Sequence, residues 1–412
     1  MSVRRLIVVV MNTSTRNTST RNKASLRRGF RRTALAVAVL TGVATSTVVA
    51  APRATAAHDR PELRQAIQEF VDAGYAGIQL RVHDERGEWA GSAGVRKLGG
   101  TAKPPTNGHF RIGSTTKTFV ATLVLQLVAD GKLGLDSPVA GHLPGFGLNP
   151  EITVRMLLGH TSGLPDFVAD PVVPGIPWQG EEWVANRFHT HQPEDLVRLA
   201  LTGPPRFAPG TSWSYSNTNY VLAKLLIEKI TGRPYGEEMK RRIFQPLGLA
   251  DTVVPGAWSG MPSPYAHAYY RYLDDGQWKT IDVTRQNPSW ISAAGEMIST
   301  TEDLHKFFSA LQKGELVPAP LLAEMRETHP DSAGFFGRYG LGQYVLDTGA
   351  DCAGPVLNHN GSNNGYGALM YSTPDGSKTM TASITTGDAP INQAEVFPAE
   401  LKKLLDVVFC GG

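Results

Sequence analysis

The sequence predicts an α+β fold: an antiparallel sheet with flanking helices, plus a mainly helical region inserted between the early and late parts of the sheet. Three observations predict it. Strand-like runs gather at both ends of the chain, helical periodicity dominates the middle, and the composition is that of a protein with a real core. The 412 residues are 41% hydrophobic and 19% charged, with 43 Gly, 28 Pro and 2 Cys. Those values exclude a disordered polymer, a collagen-like repeat and a small disulfide scaffold.

The first segment reads as an address. Residues 1–56 hold ten Lys and Arg and no acid, leaving 30 bases against 37 acids in the rest. A net-acidic body argues against a nucleic-acid partner, because little in it would neutralise phosphates. Residues 12–22 repeat Asn-Thr-Ser-Thr-Arg and are too polar to pack. Arg27, Arg28, Arg31 and Arg32 then precede an uncharged run over 33–51 and the small-residue segment Ala54-Thr55-Ala56. Basic, apolar, small-x-small is the order of a cleaved secretory signal peptide, by the twin-arginine or the general route. A membrane anchor is the alternative, since the run is long enough to span. The expectation is a signal peptide with a low-complexity extension over 1–56, and a secreted domain over 57–412 with no stable membrane anchor.

Within that domain the expected α/β part covers about 57–134 and 286–412, and the helical part about 135–285. An amphipathic helix is expected over 61–74, with Leu63, Ile67, Phe70 and Val71 on one side. Strands follow at 77–84 and 88–93. A helix from Ser114 to about Asp130 is apolar around most of its circumference, so it should be central and buried. The middle holds helical islands at 152–158, 194–201, 217–231 and 235–243, with few strand patterns. Thr300 and Asp303 form a capping-box signature at a helix start. Strand-like runs follow at 339–346, 365–373 and 378–386, the last two joined by Pro374-Asp375-Gly376. A helix over 391–409 ends the chain. Cys352 and Cys410 are the only cysteines, and an oxidising exterior lets them pair; two free buried thiols are the alternative.

Three local patterns carry chemistry. Ser114-Thr115-Thr116-Lys117 places a hydroxyl and an amine at i and i+3 on one face of a helix start. Burial and the positive end of the helix would push Lys117 toward its neutral form, a base able to activate a serine. A serine cap with a surface lysine would show the same letters. Tyr215-Ser216-Asn217 adds a phenol and an amide. A lysine ammonium nearby would ease loss of the Tyr215 proton, and Asn217 could hold a substrate amide or merely cap a helix. His359-Asn360-Gly361-Ser362 falls in a strand-like stretch. Its glycine would let a substrate backbone lie along the strand edge. The amides of Ser114 and Ser362 could form an oxyanion hole, and His359 would add an electropositive donor.

In this order and spacing the three elements resemble the penicillin-recognising serine hydrolases, the β-lactamase/transpeptidase-like group that includes serine β-lactamases and penicillin-binding proteins. Tyr-x-Asn with His-x-Gly looks closest to class C β-lactamase-like enzymes, and among them to secreted D-alanyl-D-alanine carboxypeptidases. The resemblance runs from about Pro61 to Cys410 and includes His160-Thr161-Ser162-Gly163-Leu164 and Ser292-Ala293-Ala294-Gly295. It implies an acyl-enzyme on Ser114, with Lys117 as partner base and Tyr215 as proton shuttle. It implies substrate contacts from Asn217, His359 and Gly361, and a pocket side from Trp290. It also implies a Cys352–Cys410 disulfide, a small peptide or β-lactam substrate, and no metal or organic cofactor. His189 and His191 read as surface residues, because two His on a Pro-flanked loop lack further ligands. A monomer is expected.

Two departures bear on specificity. Asn360 stands where Thr is usual in the closest carboxypeptidases. Gly340-Leu341-Gly342 is followed by Gln343 and Tyr344, with no Arg or Lys before Cys352 to grip a substrate's free carboxylate. Asn360 and Ser362 offer donors without charge. The leading expectation is therefore a D-Ala-D-Ala carboxypeptidase. An esterase, a D-amino-acid peptidase or amidase, and a β-lactamase of the same fold are alternatives, and a non-catalytic binder is the remote one.

Overall fold

The structure is a computed structural model, and it describes residues 59–168 and 170–411. The expected signal segment lies outside them. The described chain opens with α1 (Pro61–Asp72), the hairpin β1 (Gly77–Asp84) and β2 (Gly87–Gly94), and the short β3 (Phe110–Arg111). A 3₁₀ turn, Gly113–Thr115, leads into α2 (Thr116–Ala129). The middle carries α3 (Val154–Leu158), α4 (Gly180–Asn186), α5 (Pro193–Ala200), α6 (Asn217–Thr231), α7 (Tyr235–Met239) and α8 (Gln245–Leu247). It also holds a hairpin, β4 (Tyr269–Asp274) and β5 (Gln277–Asp282). The last third contains β6 (Ile298–Ser299), α9 (Thr301–Gln312), α10 (Ala319–Arg326), β7 (Arg338–Tyr339) and β8 (Tyr344–Asp347). It ends with β9 (Pro355–Asn358), β10 (Gly361–Asn363), β11 (Tyr366–Ser372), β12 (Thr379–Thr385) and α11 (Gln393–Phe409).

The main sheet has the order β2-β1-β12-β11-β9-β8-β7, with β10 also pairing β11. Every pairing in it is antiparallel, and its centre joins the two ends of the chain: Leu80 lies opposite Ala382 across β1 and β12. Strand alternation builds two cores. Leu369 and Tyr371 of β11 face the layer of α1 and α11, together with Leu63, Phe70, Leu401 and Leu404. Ala368 and Met370 face the other layer, where α2, α6 and α9 pack. Helix α2 has no polar face, and Phe119, Val120, Leu123 and Val124 are all buried. It is the hub that carries the site.

The fold is the expected β-lactamase/transpeptidase type, with local corrections. The middle, where few strands were expected, carries the hairpin β4–β5. The run at 339–346 is two strands interrupted by Gly340-Leu341-Gly342-Gln343. Thr300 Oγ1 accepts from the Asp303 amide at 3.3 Å, but the Asp303 carboxylate accepts from the Asp251 amide and the Thr252 hydroxyl. It ties two segments together instead of closing a capping box. Cys352 and Cys410 are joined, pinning the β8–β9 loop to the end of α11. Closing that 58-residue separation is worth about 4 kcal/mol in the chain-entropy picture. Among the described residues, no helix is long and apolar enough to cross a membrane.

Candidate active site

Ser114 sits in the 3₁₀ turn and Lys117 in the first turn of α2. Their spacing brings Lys117 Nζ to 3.1 Å from Ser114 Oγ. Lys117 is 0% exposed, so it is not the surface lysine of the bland alternative. Nζ also lies 2.8 Å from Asn217 Oδ1 and 2.7 Å from the Ala294 carbonyl. Burial pushes the Lys117 pKa down to about 7, while the Asp166 carboxylate pulls the other way.

Asp166 is a member of the site that the sequence reading missed. Its Oδ2 accepts from the Asn217 side-chain amide at 2.8 Å and from the Asn217 backbone at 3.2 Å. Its Oδ1 accepts from the Val168 amide at 2.9 Å. Burial raises the Asp166 carboxyl above the usual carboxylate range, and these donors work against the rise. The Asn217 side chain is thereby engaged at both ends, with its oxygen toward Lys117 and its nitrogen toward Asp166. It is a bridge within the protein, where a substrate contact was expected.

Tyr215 precedes α6. Lys117 Nζ stands 4.7 Å from the centre of its ring, and the His160 ring lies beneath it with centroids 4.3 Å apart. His160 is buried with a positive φ of 60°. Its Nδ1 accepts from the Ser216 amide at 3.2 Å and faces the Asn219 amide nitrogen at 3.1 Å. The Tyr215 phenol is held protonated: burial raises its pKa well above that of a free phenol, and the neighbouring Ser114 hydroxyl only partly opposes this. The expected easing of its deprotonation is outweighed by burial, to which the Tyr344 side chain adds.

His359 and Asn360 join β9 to β10. His359 is buried with its pKa lowered to about 3, by burial first and Lys117 second. It is a neutral ring, with Nδ1 2.8 Å from the Asn360 carbonyl and Nε2 3.3 Å from the Tyr339 hydroxyl. The expected electropositive donor is absent. The Asn360 amide nitrogen donates to the Tyr371 hydroxyl at 2.6 Å, while the residue still lines the cleft.

Gly361 and Ser362 lie against the turn that carries Ser114. A Cβ on Gly113 would fall 2.6 Å from the Ser362 nitrogen, and one on Gly361 would fall 3.0 Å from the Ser114 nitrogen. Two glycines thus let the backbone of β10, with the Ser362 amide, press against the turn that carries Ser114. An acyl oxygen held there would meet two N–H donors. Trp290 departs from expectation. It packs against the main core at the end of a 3₁₀ turn capped by Asn287, and the cleft lining does not include it.

The cleft encloses about 680 Å³ and is lined by Ser114, Tyr215, His359, Asn360, Gly361 and Ser362 among others. One end is walled by Phe336, Tyr344 and Phe397, the other by Trp178, Tyr270 and Trp278. Gln343 contributes nothing there: it is buried and accepts from Gln312. His189 and His191 sit edge to face on a loop, and no cluster of three metal-ligating side chains occurs among the described residues.

A buried amine beside a cleft-facing serine, a protonated phenol and a glycine-lined strand against the serine turn form an arrangement suited to acyl transfer through a serine. Residues 63–397 match the Beta-lactamase family, and the chain belongs to that family. It is 30% identical over 292 residues to penicillin-binding protein 4* of Bacillus subtilis, covering 68% of this chain and 62% of that protein. The chain thus spans under two thirds of the length of that relative. Among solved structures, it is similar to a D-stereospecific amidohydrolase from Streptomyces sp.. The TM-score is 0.76 with 37% identity, over 86% of this chain and 99% of that one. It is also similar to a D-amino acid amidase from Ochrobactrum anthropi SV3, with a TM-score of 0.72 and 25% identity over 84% and 97%.

Proposed function

We propose that this protein is a D-stereospecific serine amidohydrolase, cleaving an amide or peptide bond on the carbonyl side of a D-amino-acid residue. The observation that carries the chemistry is the Lys117 amine, buried and 3.1 Å from the Ser114 hydroxyl. Ser114 Oγ attacks the substrate carbonyl and passes its proton to Lys117. The amides of Ser114 and Ser362 hold the oxyanion. The leaving nitrogen takes a proton from the Tyr215 phenol, which is refilled from Lys117, and the C–N bond breaks to leave an ester on Ser114. Water then attacks the ester by the reverse proton route, releasing the acid. Stereospecificity for the D-residue rests on the likeness to the two D-selective hydrolases.

The narrower reading, a D-Ala-D-Ala carboxypeptidase of peptidoglycan, draws on the three sequence motifs and on the likeness to a penicillin-binding protein. Against it stands the Phe336–Tyr344–Phe397 end of the cleft, which has no Arg or Lys in its lining for a terminal carboxylate. Secretion by a cleaved signal peptide is part of the proposal and suits a cell-wall or extracellular D-peptide substrate.

The test compares turnover of D-phenylalanine amide, its L isomer, a D-Ala-D-Ala tripeptide, an aryl ester and a cephalosporin. Mass spectrometry of the protein after penicillin exposure accompanies it. A D-over-L preference of about a hundredfold, with no adduct and no turnover in Ser114→Ala, is expected. Predominant release of D-Ala from the tripeptide would replace this reading with the narrower one.

A further inference from the structure

The two ends of the cleft differ in charge, and the proton route tells which is which. The Tyr215 ring packs on Tyr339 with centroids 6.1 Å apart, and Tyr339 in turn packs edge-on against Tyr344 at 4.6 Å. The phenol that protonates the leaving nitrogen therefore stands on the Tyr344 side, and the leaving group departs past Tyr344 and Phe336. The acyl portion must extend the other way, along β10 toward Asn363 and the turn into β11. There the Asn364 side-chain amide donates to the Trp178 carbonyl at 2.9 Å. Gly365 comes up against Ala268, Tyr269 and Val283, at the base of the β4–β5 hairpin.

Arg271 projects from that hairpin. Among the described residues it is the one Arg or Lys in the lining of the cleft, and that lining holds no Asp or Glu. Its guanidinium lies over the Trp278 ring, 4.0 Å from the centroid. In register, Arg271 lies opposite Thr280, and Leu273 opposite Trp278, so the arginine and the tryptophan share one face of the ribbon. Two carboxylates of the hairpin are engaged elsewhere: Asp274 with Lys279, and Asp282 with His267. Among the described residues no carboxylate lies within ion-pair distance of Arg271. A half-buried guanidinium shelved on an aromatic ring, with its fork unpaired in a cleft free of acids, is prepared for a planar anion.

We propose that Arg271 is an acyl-side carboxylate subsite: the preferred substrates carry a carboxylate on the portion that becomes esterified to Ser114, upstream of the cleaved D-residue. The inference rests on the acyl-enzyme reading above and adds the substrate class to it. A fork of two parallel N–H donors suits a carboxylate, while Trp178 and Trp278 supply apolar faces for the chain that bears it. The hairpin compensates for a cation missing at the opposite end, but it selects on the other half of the substrate.

The test uses two p-nitroanilides of D-phenylalanine, one N-succinylated and one N-succinamoylated, which differ only in a terminal carboxylate against a neutral amide. The wild-type protein should prefer the succinyl substrate about tenfold in kcat/KM, through KM. The preference should shrink as salt is raised. Arg271→Gln should erase it, bringing the succinyl rate down to that of the succinamoyl substrate, and Arg271→Lys should restore part of it. Equal rates for the two substrates in the wild type, or a preference that survives Arg271→Gln, would overturn the subsite and leave the hydrolase reading intact. Wild-type turnover of both substrates no faster than that of Ser114→Ala would overturn the acyl-enzyme reading and the subsite with it.

Discussion

Lys117 Nζ lies 2.8 Å from Asn217 Oδ1, and this one contact decides which way the amine faces. A neutral amine has two hydrogens and one lone pair. The Asn217 oxygen and the Ala294 carbonyl accept only, so they take both hydrogens. The lone pair is left pointing at the third neighbour, the Ser114 hydroxyl, which donates to it. Once protonated, the ammonium has a donor for each of the three acceptors, so the same cage serves before and after proton transfer.

The first expected outcome is a pH profile. Because burial depresses the Lys117 pKa to about 7, the competent neutral form is lost as pH falls through 7 and gained as it rises. The acylation rate, followed as a burst of p-nitrophenol from an ester, should rise across that range and level off above it. Lys117→Ala should lose about a thousandfold in acylation. A flat profile from pH 5 to about 9, judged against an ordinary lysine near 10.4, would rule out the amine as base.

Asp166 acts through Asn217 and through its field. Its negative charge raises the Lys117 pKa, so Asp166→Asn should lower that pKa further and move the rising limb of the profile to lower pH. The amide can still accept from Asn217, so the bridge survives. Asp166→Ala removes the bridge as well, and about tenfold in kcat should go with it while KM changes little. A limb that stays in place in Asp166→Asn would reduce the residue to a structural support.

The Tyr215 hydroxyl is kept protonated by burial, which suits a donor to the leaving nitrogen. Tyr215→Phe keeps the ring and its contacts with His160 and Tyr339. It should therefore fold normally and lose about a hundredfold in amide turnover. An aryl ester, whose leaving group departs without a proton, should suffer much less. Equal losses on amide and ester would point to a role in binding.

The fold was legible wherever one periodicity ruled. Helix α2 announces itself by Phe119, Val120, Leu123 and Val124 around its circumference, and β11 and β12 by a Pro-Asp-Gly turn between apolar runs. The β4–β5 hairpin was missed because it stands off the main sheet. Leu273 and Trp278 are half exposed or more, so no inward and outward alternation marks it, although Asp275-Gly276 was a turn signal in plain view. Ser114, Lys117 and Tyr215 were legible as spaced motifs. What three-dimensional burial decides was not: a neutral His359, a protonated Tyr215, and an Asn217 taken up by Asp166. Trp290 was assigned to the cleft by resemblance alone, and nothing in its local sequence distinguishes a pocket wall from a core ring.

Gly361 offers the most direct test of the paired-amide corner. A methyl group there would meet the Ile112 carbonyl and come within 3.0 Å of the Ser114 amide nitrogen. Both obstacles are backbone, so neither can rotate away. Gly361→Ala must push β10 off the serine turn, separating the Ser114 and Ser362 amides. The strand still pairs with β11 through Ser362 and Asn363, so the fold should persist, as circular dichroism and thermal unfolding would show. Acylation by ester and penicillin alike should fall about a hundredfold, the loss that follows removal of one oxyanion donor. Gly367 is the control: it lies opposite Ser362, and a Cβ there makes only ordinary contacts, 3.7 Å from the Ile384 Cβ. Gly367→Ala should be nearly silent. If the two variants lost activity equally, the two-amide corner would have to be abandoned.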